Sequence, residues 1–222
     1  KRPTSAETLH CLGRALLVEG TNLVEALRTL ERATEVDPHR PEYWLYGGWA
    51  ANEAGRTARA KSALAKALEL DQGLADAYWQ RGVLLVREGA VKDAVTDLKK
   101  ALELRPSRFE AHAALADAYY DLGMEGEALG EWQQAVSAMP DNATWRFRYG
   151  KLLVDNRRPG DARENLIKAI ELTEKNDERP KWLAEAHLEL ARLMGTNKDA
   201  AKHWKAFLQH GPRDSAYRAE AK

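Results

Sequence analysis

The 222-residue sequence lacks several features that mark particular classes of protein. It has a single cysteine, Cys11, so no intramolecular disulfide can form. No apolar run approaches the roughly 20 residues that a transmembrane helix needs. Lys and Arg total 34, and Asp and Glu also total 34. The chain therefore has no excess of positive charge of the kind that contacts nucleic acid or an anionic membrane surface.

The sequence also lacks an initiator methionine. It begins Lys1-Arg2-Pro3, which does not resemble a signal peptide, and the simplest interpretation is a fragment or a processed form of a longer polypeptide. The absence of disulfides fits a cytoplasmic location and leaves the periplasm open. Apolar residues make up 44% of the chain, which is enough to bury a core, so we do not expect disorder.

No group of residues has the spacing of a known catalytic or metal site. His10 and Cys11 are adjacent, so on a helix their side chains point about 100° apart and cannot act as a base and a nucleophile. His203 and His210 share a helix face but lack a third metal ligand. The glycines are isolated rather than gathered in a phosphate-binding loop. We therefore expect a protein that is not an enzyme and that uses no metal or other cofactor.

What the sequence does contain is an internal repeat. Two alanine columns, a small-residue column and a proline column share a period of 34 residues. Their members are Ala26, Ala60, Ala94, Ala128 and Ala162; Ala33, Ala67, Ala101, Ala135 and Ala169; Gly48, Gly82, Ala116 and Gly150; and Pro38, Pro106 and Pro140. A period of this length indicates a solenoid of stacked units.

Each repeat predicts two antiparallel helices. In residues 109–142, the first half has apolar residues at steps of three and four and ends at Gly123, which tolerates a left-handed conformation. The second half is amphipathic and stops before Pro140, which cannot continue a helix. We expect the small column to lie where the two helices cross closely. A bulky column is expected to fill the seam with the next repeat; it comprises Leu30, Leu64, Leu98, Trp132 and Leu166.

The repeat resembles the tetratricopeptide repeat (TPR). The matching signature is His112, Leu115-Ala116, Tyr119, Ala128, Trp132, Ala135 and Pro140. The resemblance covers nearly the whole chain and implies an all-α, right-handed superhelical solenoid of antiparallel helix pairs. We expect one solenoid with repeats at 6–40, 41–74, 75–108, 109–142, 143–180 and 181–212, followed by the start of a capping helix at 213–222. The Ala- and Arg-rich composition suggests a bacterial protein.

Three departures from the period are visible. The first repeat is one residue longer than the 34-residue period, and the extra residue is predicted in the turn near Thr21-Asn22. A surplus in the fifth repeat maps to Glu174–Pro180 and is predicted to lengthen a loop. In the last repeat, either Gly195 marks the turn or Leu190-Ala191 is the Leu-Gly pair of the signature, and the two alternatives exclude each other.

The resemblance implies that a partner binds the concave surface lined by the first helix of each repeat. The residues that the phase places there are His10, Arg14, Leu17, Leu45, Trp49, Asn52, Trp79, Val83, Val86, Ala113, Asp117, Tyr120, Phe147, Lys151 and Val154. The aromatic members are candidate anchors, because aromatic residues dominate binding hot spots. The alternative is that these rings pack on the helix of the neighbouring repeat. Trp44, Trp132 and Trp204 fall in packing columns and are assigned to the core.

One phase carries an acidic residue in four successive repeats: Glu7, Glu42, Asp76 and Glu110. This row would border the groove, although acidic residues also stabilise the first turn of a helix. Some TPR proteins hold the terminal carboxylate of a peptide with a clamp of Lys, Asn and Arg. That clamp is missing here, because Leu45 and Trp49, or Trp79 and Val83, stand where Lys and Asn would be needed. The groove is therefore predicted to be apolar and mildly acidic.

The predicted function is a non-catalytic interaction module or scaffold. Its partner would be an amphipathic helix or an extended segment with bulky apolar anchors and basic flanks. One alternative is a structural or assembly factor of a bacterial envelope or pilus machine, which could self-associate. Another is the regulatory arm of a larger protein. RNA binding is least favoured, because basic residues do not collect at the inward positions.

Overall fold

The computed structural model describes residues 5–176 and 179–212, and within these ranges it contains twelve α-helices and no strand. The helices are α1 (Ala6–Glu19), α2 (Leu23–Val36), α3 (Pro41–Glu53), α4 (Thr57–Leu70), α5 (Ala75–Arg87), α6 (Val91–Leu104), α7 (Phe109–Asp121), α8 (Glu125–Ala138), α9 (Ala143–Asp155), α10 (Pro159–Lys175), α11 (Leu183–Met194) and α12 (Lys198–His210). The prediction of an all-α repeat fold is confirmed. The capping helix expected at 213–222 lies outside the described residues.

The chain divides into two compact units, Lys1–Leu122 and Gly123–Lys222. In unit 1 the closest packing is between α1 and α2, α3 and α4, and α5 and α6; in unit 2 it is between α9 and α10, and α11 and α12. Short turns join the members of each pair, so the two helices run antiparallel. No helix in the described part of the chain has both the length and the apolar character that crossing a bilayer requires.

The turns inside the pairs explain the irregular length of the first repeat. Gly20 and Gly55 both adopt a left-handed conformation, with φ of 67° and 69°. Helix α4 begins at Thr57, two residues after Gly55, whereas α2 begins at Leu23, three residues after Gly20. The additional residue therefore lies in the turn between Gly20 and Leu23.

Close contact between paired helices depends on the small column. A methyl group added to Gly82 would lie 2.6 Å from Leu98 Cγ, and one added to Gly48 would lie 2.7 Å from Leu64 Cγ. Both leucines are fully buried. The bulky column thus also packs inside its own repeat, and Leu64 belongs to the same core cluster as Ala77 and Leu84 of the next repeat. Each leucine occupies the notch left by the glycine of its own repeat, because only a glycine leaves room for a branched side chain there.

The three tryptophans assigned to the core from the sequence do pack there. Trp132 is 2% exposed, while Trp44 and Trp204 are partly buried against core clusters of their own units. Trp44 has an additional role, since its Nε1 donates a hydrogen bond to the Pro38 carbonyl oxygen over 2.8 Å. The indole thereby ties α3 to the turn that precedes it.

The surplus in the fifth repeat is used differently from the prediction. Helix α10 has 17 residues and continues to Lys175, whereas α2, α4 and α6 each have 14. At least part of the surplus therefore lengthens the helix rather than the loop. In the last repeat, Gly195 has a φ of 62° and caps α11, so the alternative that places the turn at Gly195 is the one observed.

Candidate functional site

A row of aromatic rings crosses three first helices of unit 1. The ring centroid of His10 on α1 lies 5.1 Å from that of Tyr46 on α3. Tyr46 lies 5.9 Å from Trp49, and Trp49 lies 5.9 Å from Trp79 on α5. We call these four residues the aromatic row. The structure therefore brings together the two tryptophans that the repeat phase assigns to the groove.

Local helix geometry explains how the row forms. Tyr46 and Trp49 are three residues apart on α3, so they occupy one face of the helix. Trp79 sits on α5, which packs against α3, and its ring meets the Trp49 ring nearly edge-on at 74°. Tyr46, Trp49 and Trp79 are all half-buried. The rings thus pack on the neighbouring repeat and also keep accessible surface.

An arginine side chain stacks on the row near each end. The guanidinium carbon of Arg14 lies 4.5 Å from the Tyr46 ring centroid, and that of Arg108 lies 3.9 Å from the Trp79 centroid. Arg108 directly precedes α7. Sequence reasoning missed Tyr46 and Arg108. Tyr46 could have been found from the sequence, because it directly follows Leu45, which the phase placed in the groove. No local signal in the sequence marks Arg108 as a partner of Trp79, which lies 29 positions earlier.

Several residues predicted to line the groove are buried instead, among them Leu17 and Ala113 at 6% and 7% exposure. Leu45, Asn52 and Phe147 are 3%, 4% and 6% exposed, so the expectation that their helices present them outward is wrong. Leu45 belongs to the hydrophobic core of unit 1. Asn52 accepts a hydrogen bond through Oδ1 from Arg87 Nη1 over 3.1 Å. The period identifies which residues share one face of a helix. Which of those residues are buried depends on how the neighbouring helix packs against that face.

The Phe147 ring is buried by an aromatic stack within unit 2. It lies 4.7 Å from the Trp182 ring at an interplanar angle of 11°. On the same helix, Lys151 is partly exposed, and its Nζ lies 2.6 Å from a Glu185 carboxylate oxygen. These two predicted residues thus make structural contacts of unit 2.

The remaining predicted residues keep accessible surface on unit 1. Val83 and Val86, which follow Trp79 on α5, are half-buried. Asp117 is half-buried and Tyr120 is 49% exposed on α7. Arg14 is exposed on α1. The accessible apolar surface next to the aromatic row therefore continues along α5.

The acidic row is only partly available to a partner. Its members Glu7, Glu42, Asp76 and Glu110 all lie in the first turn of their helices, where negative charge is favourable. Asp76 contacts Arg105 over 2.8 Å and Arg108 over 3.2 Å. The charge bordering Trp79 is therefore mixed, and the expectation of an acidic border is wrong at this position.

Burial also affects the histidine at the end of the row. Burial lowers the pKa of His10, and the Arg14 charge lowers it further, while Glu42 acts in the opposite direction. His10 Nε2 is buried with no hydrogen-bond partner in the described structure. The ring therefore behaves as a neutral, mainly packing group at the edge of the site.

A second group of polar residues lies in unit 2. His187 Nδ1 and His203 Nδ1 are 2.9 Å apart and buried, beside a cavity of about 800 Å³ between α10, α11 and α12. The sequence had paired His203 with His210 instead, because only residues on one helix can be related by spacing. Within the described residues, no three His, Cys, Asp or Glu side chains are arranged to hold a metal ion.

Comparison with known families agrees with the architecture. The sequence pattern of the family described as "Tetratricopeptide repeat" matches residues 12–75 and 114–180, and one described as "TPR repeat" matches residues 84–123. These matches cover more than half of the chain. The chain belongs to the tetratricopeptide repeat family, as its 34-residue signature predicts.

Similar proteins include factors of pilus assembly. The type IV pilus assembly protein PilF of Pseudomonas aeruginosa is 35% identical over 99 residues, which is 44% of this chain and 39% of that protein. The chain thus spans about two fifths of the length of this relative. The solved structure of P. aeruginosa PilF superposes with a TM-score of 0.81 at 19% identity, covering 97% of this chain and 96% of that one. The structure of PilW, a type IV pilus biogenesis factor, gives 0.80 at 15% identity and 98% coverage of both chains. At these identities the two structures establish the fold.

Proposed function

We propose that the chain is a protein-interaction module that binds a partner segment across the aromatic row of unit 1. The observation that carries the proposal is the contact between Trp49 and Trp79, two half-buried rings from successive repeats at 5.9 Å. Large aromatic side chains that are held rigidly and remain partly accessible are frequent anchors of protein interfaces. They lose little conformational entropy on binding because their neighbours already hold them in place.

The chemistry of the surface indicates the kind of partner. Val83 and Val86 extend the apolar area along α5, so bulky apolar residues of the partner would be in contact with rings and aliphatic groups. An amphipathic helix and an extended segment both fit such a surface. Neither needs a reactive group on this chain, and the proposed role is therefore binding rather than catalysis.

The double variant Trp49→Ala/Trp79→Ala tests the proposal. We expect it to lose the partners that the wild-type chain captures from lysate, while its circular dichroism spectrum stays helical. Trp204→Ala, which removes a half-buried tryptophan of unit 2, is the matched control and should capture the same partners as the wild type. Recovery of an unchanged set of partners by the double variant would show that the aromatic row is not the binding surface.

A second candidate function is a role in type IV pilus assembly. It is supported by the similarity to the PilF and PilW structures, which extends over almost the whole of all three chains. Replacing the matching repeats of PilF by this chain in P. aeruginosa would test it. Restored twitching motility supports the assembly role, and a non-motile strain with normal levels of the hybrid protein contradicts it. Light scattering over a concentration series would test self-association, which the structural-assembly alternative predicts.

Two predictions from the sequence concern the cell rather than the site. A cytoplasmic location, with the periplasm as the alternative, would be tested by cell fractionation. The role of a regulatory arm depends on what adjoins the chain in its gene, and sequencing of the flanking regions would test it.

A further inference from the structure

We propose that Trp79 is a cation-binding subsite, which Arg108 fills in the unbound protein and which an arginine or lysine of the partner occupies in the complex. This inference rests on the proposed function, because it specifies the partner that binds the aromatic row. It identifies the partner segment as one with a basic residue next to a bulky apolar residue.

The geometry around Trp79 is that of a site built for a cation. The Arg108 guanidinium carbon lies 3.9 Å from the ring centroid, which is within the range of a cation–π contact. Two carboxylates flank the guanidinium, with Asp76 Oδ1 3.2 Å from Nε and Glu110 Oε2 3.5 Å from Nη1. An aromatic face bordered by two carboxylates is favourable for any planar or tetrahedral cation that reaches it.

Arg108 is held in this site less firmly than its contacts suggest. Its Nε is buried but makes no well-aligned hydrogen bond, even though the Asp76 carboxylate is near. Asp76 already accepts two shorter hydrogen bonds from Arg105 Nη1, at 2.8 and 3.0 Å. If Arg108 swings away, Asp76 remains paired and the Arg108 side chain gains full hydration. Arg108 then gives up its stacking on the Trp79 ring and its contacts with Asp76 and Glu110, and an incoming cation would regain the same interactions.

This arrangement discriminates between partners. A partner with an arginine or lysine restores an equivalent cation–π interaction with the ring, so displacement of Arg108 costs little. A partner with a neutral side chain at this position must displace the guanidinium without compensation. Because Trp49 adjoins Trp79, the basic residue of the partner would lie close to the apolar residue that contacts Trp49. Arg108 is therefore a residue that determines specificity, by competing with the partner.

The first test uses chemical rescue and does not need the natural partner. In Arg108→Ala, the vacant site should bind N-acetyl-arginine amide at millimolar concentration, detected by a shift of the Trp79 indole N–H resonance, which Trp79→Phe identifies. The uncharged analogue N-acetyl-citrulline amide should give no saturable shift. The matched control is Arg105→Ala, which removes the other arginine on Asp76 without opening the ring; it and the wild type should respond about tenfold more weakly. Equal shifts with arginine and citrulline, or equal responses of wild type and Arg108→Ala, would overturn the proposal.

The second test examines selectivity with a displayed library of random dodecapeptides. Peptides selected on the wild type should contain Arg or Lys beside a bulky apolar residue, and replacing that residue by citrulline should weaken binding about tenfold. Selection on Arg108→Ala or Arg108→Gln should also yield neutral peptides. If peptides selected on the wild-type protein lacked basic residues, the cation subsite would be refuted, and binding at the aromatic row would not be. Peptides that bind equally well to Trp49→Ala would instead contradict the proposed function, and the rescue experiment still decides the cation subsite separately.

Discussion

Gly82 occupies a position where its lack of a side chain is a packing requirement. The residue lies inside α5, where glycine lowers helix stability by roughly 1 kcal/mol relative to alanine. It is nevertheless suited to this position because the Leu98 side chain fills the space that a methyl group would take. The repeat of glycine at this column thus reflects the distance between two helices rather than a turn.

We predict that Gly82→Ala destabilises the protein although alanine is the better helix former. The added methyl would lie 2.6 Å from Leu98 Cγ, and overpacking of this kind costs about 1–3 kcal/mol. Gly130→Ala is the matched control, because Gly130 is exposed within α8 and, apart from its chain neighbours and the backbone of its own helix, nothing lies within 4 Å of the added methyl. It should stabilise the protein by up to about 1 kcal/mol. Urea denaturation measures the change in the free energy of unfolding for each variant. If both changes had the same sign, the packing argument would be contradicted.

His187 makes the stability of unit 2 dependent on pH. Burial and the adjacent His203, with smaller contributions from His210 and Lys202, lower the pKa of His187 from 6.5 to about 4. Between these pH values the unfolded chain binds a proton at His187 and the folded unit does not, so stability falls as the pH drops. The loss is on the order of 3 kcal/mol from pH 7 to pH 4.

Thermal unfolding at pH 7 and pH 4.5 would measure this dependence. His187→Gln should reduce this dependence, because glutamine does not titrate, while His203, whose pKa burial also lowers, still contributes. His39→Gln, which changes an exposed histidine of unit 1, should leave it unchanged. If His187→Gln and the wild type lose the same stability on acidification, the histidine pair is not the cause.

At the scale of the helices, a nearly buried ion pair connects the two members of the third repeat. Arg81 on α5 donates two hydrogen bonds to the Asp97 carboxylate on α6, over 2.6 and 2.8 Å. The Asp97 side chain is 9% exposed and that of Arg81 is 32% exposed. This hydrogen bond raises the pKa of Arg81, and burial of the group acts in the opposite direction. The pair orients α5 against α6 in addition to the contact between Gly82 and Leu98.

We predict that Asp97→Ala weakens this helix pair by about 1–3 kcal/mol, because it leaves Arg81 partly buried without its partner. The arginine can still reach water, which keeps the loss below that of a fully buried pair. Glu103→Ala is the control, since Glu103 pairs with Lys100 on the surface of the same helix and is 68% exposed. Its removal should change the free energy of unfolding by less than about 0.5 kcal/mol. A similar effect of the two substitutions in denaturant titrations would contradict this assignment.

At the scale of the whole molecule, stability depends on contacts between neighbours in the sequence. Within each unit, the main contacts of a helix are with the next helix or the one after it. A repeat protein of this kind has a stability that is approximately the sum of its repeats and of the interfaces between them. The aromatic row, with Arg108 and Glu110, needs the first three repeats and the beginning of the fourth.

This organisation predicts that fragments fold according to the number of repeats they contain. A fragment of residues 1–122, with helices α1 to α7, should be helical, melt cooperatively and keep the arginine-dependent response at Trp79 when Arg108 is replaced by alanine. A fragment of residues 1–74 has two helix pairs and should show little stable helix, because too few interfaces remain. Circular dichroism melts test both statements, and a two-repeat fragment as stable as the longer one would contradict the additive description.

The sequence predicted the fold in more detail than the site. The period of 34 residues located the helix pairs, because glycine and proline mark helix ends by local chemistry. It also indicated Trp49 and Trp79, which the structure brings into contact. It failed for Leu45 and Phe147, because the coverage of a helical stripe depends on side chains of other helices.

The sequence by itself therefore determined the family, the all-α class and the helix pairs, since each of these follows from residue spacing within about 34 positions. Only the tertiary structure decided that Tyr46 joins the row, that Arg108 covers Trp79 and that His187 meets His203. These contacts join side chains from different helices, and their geometry depends on how the helices pack. A repeat period specifies which residues occupy equivalent positions, but not which of them touch.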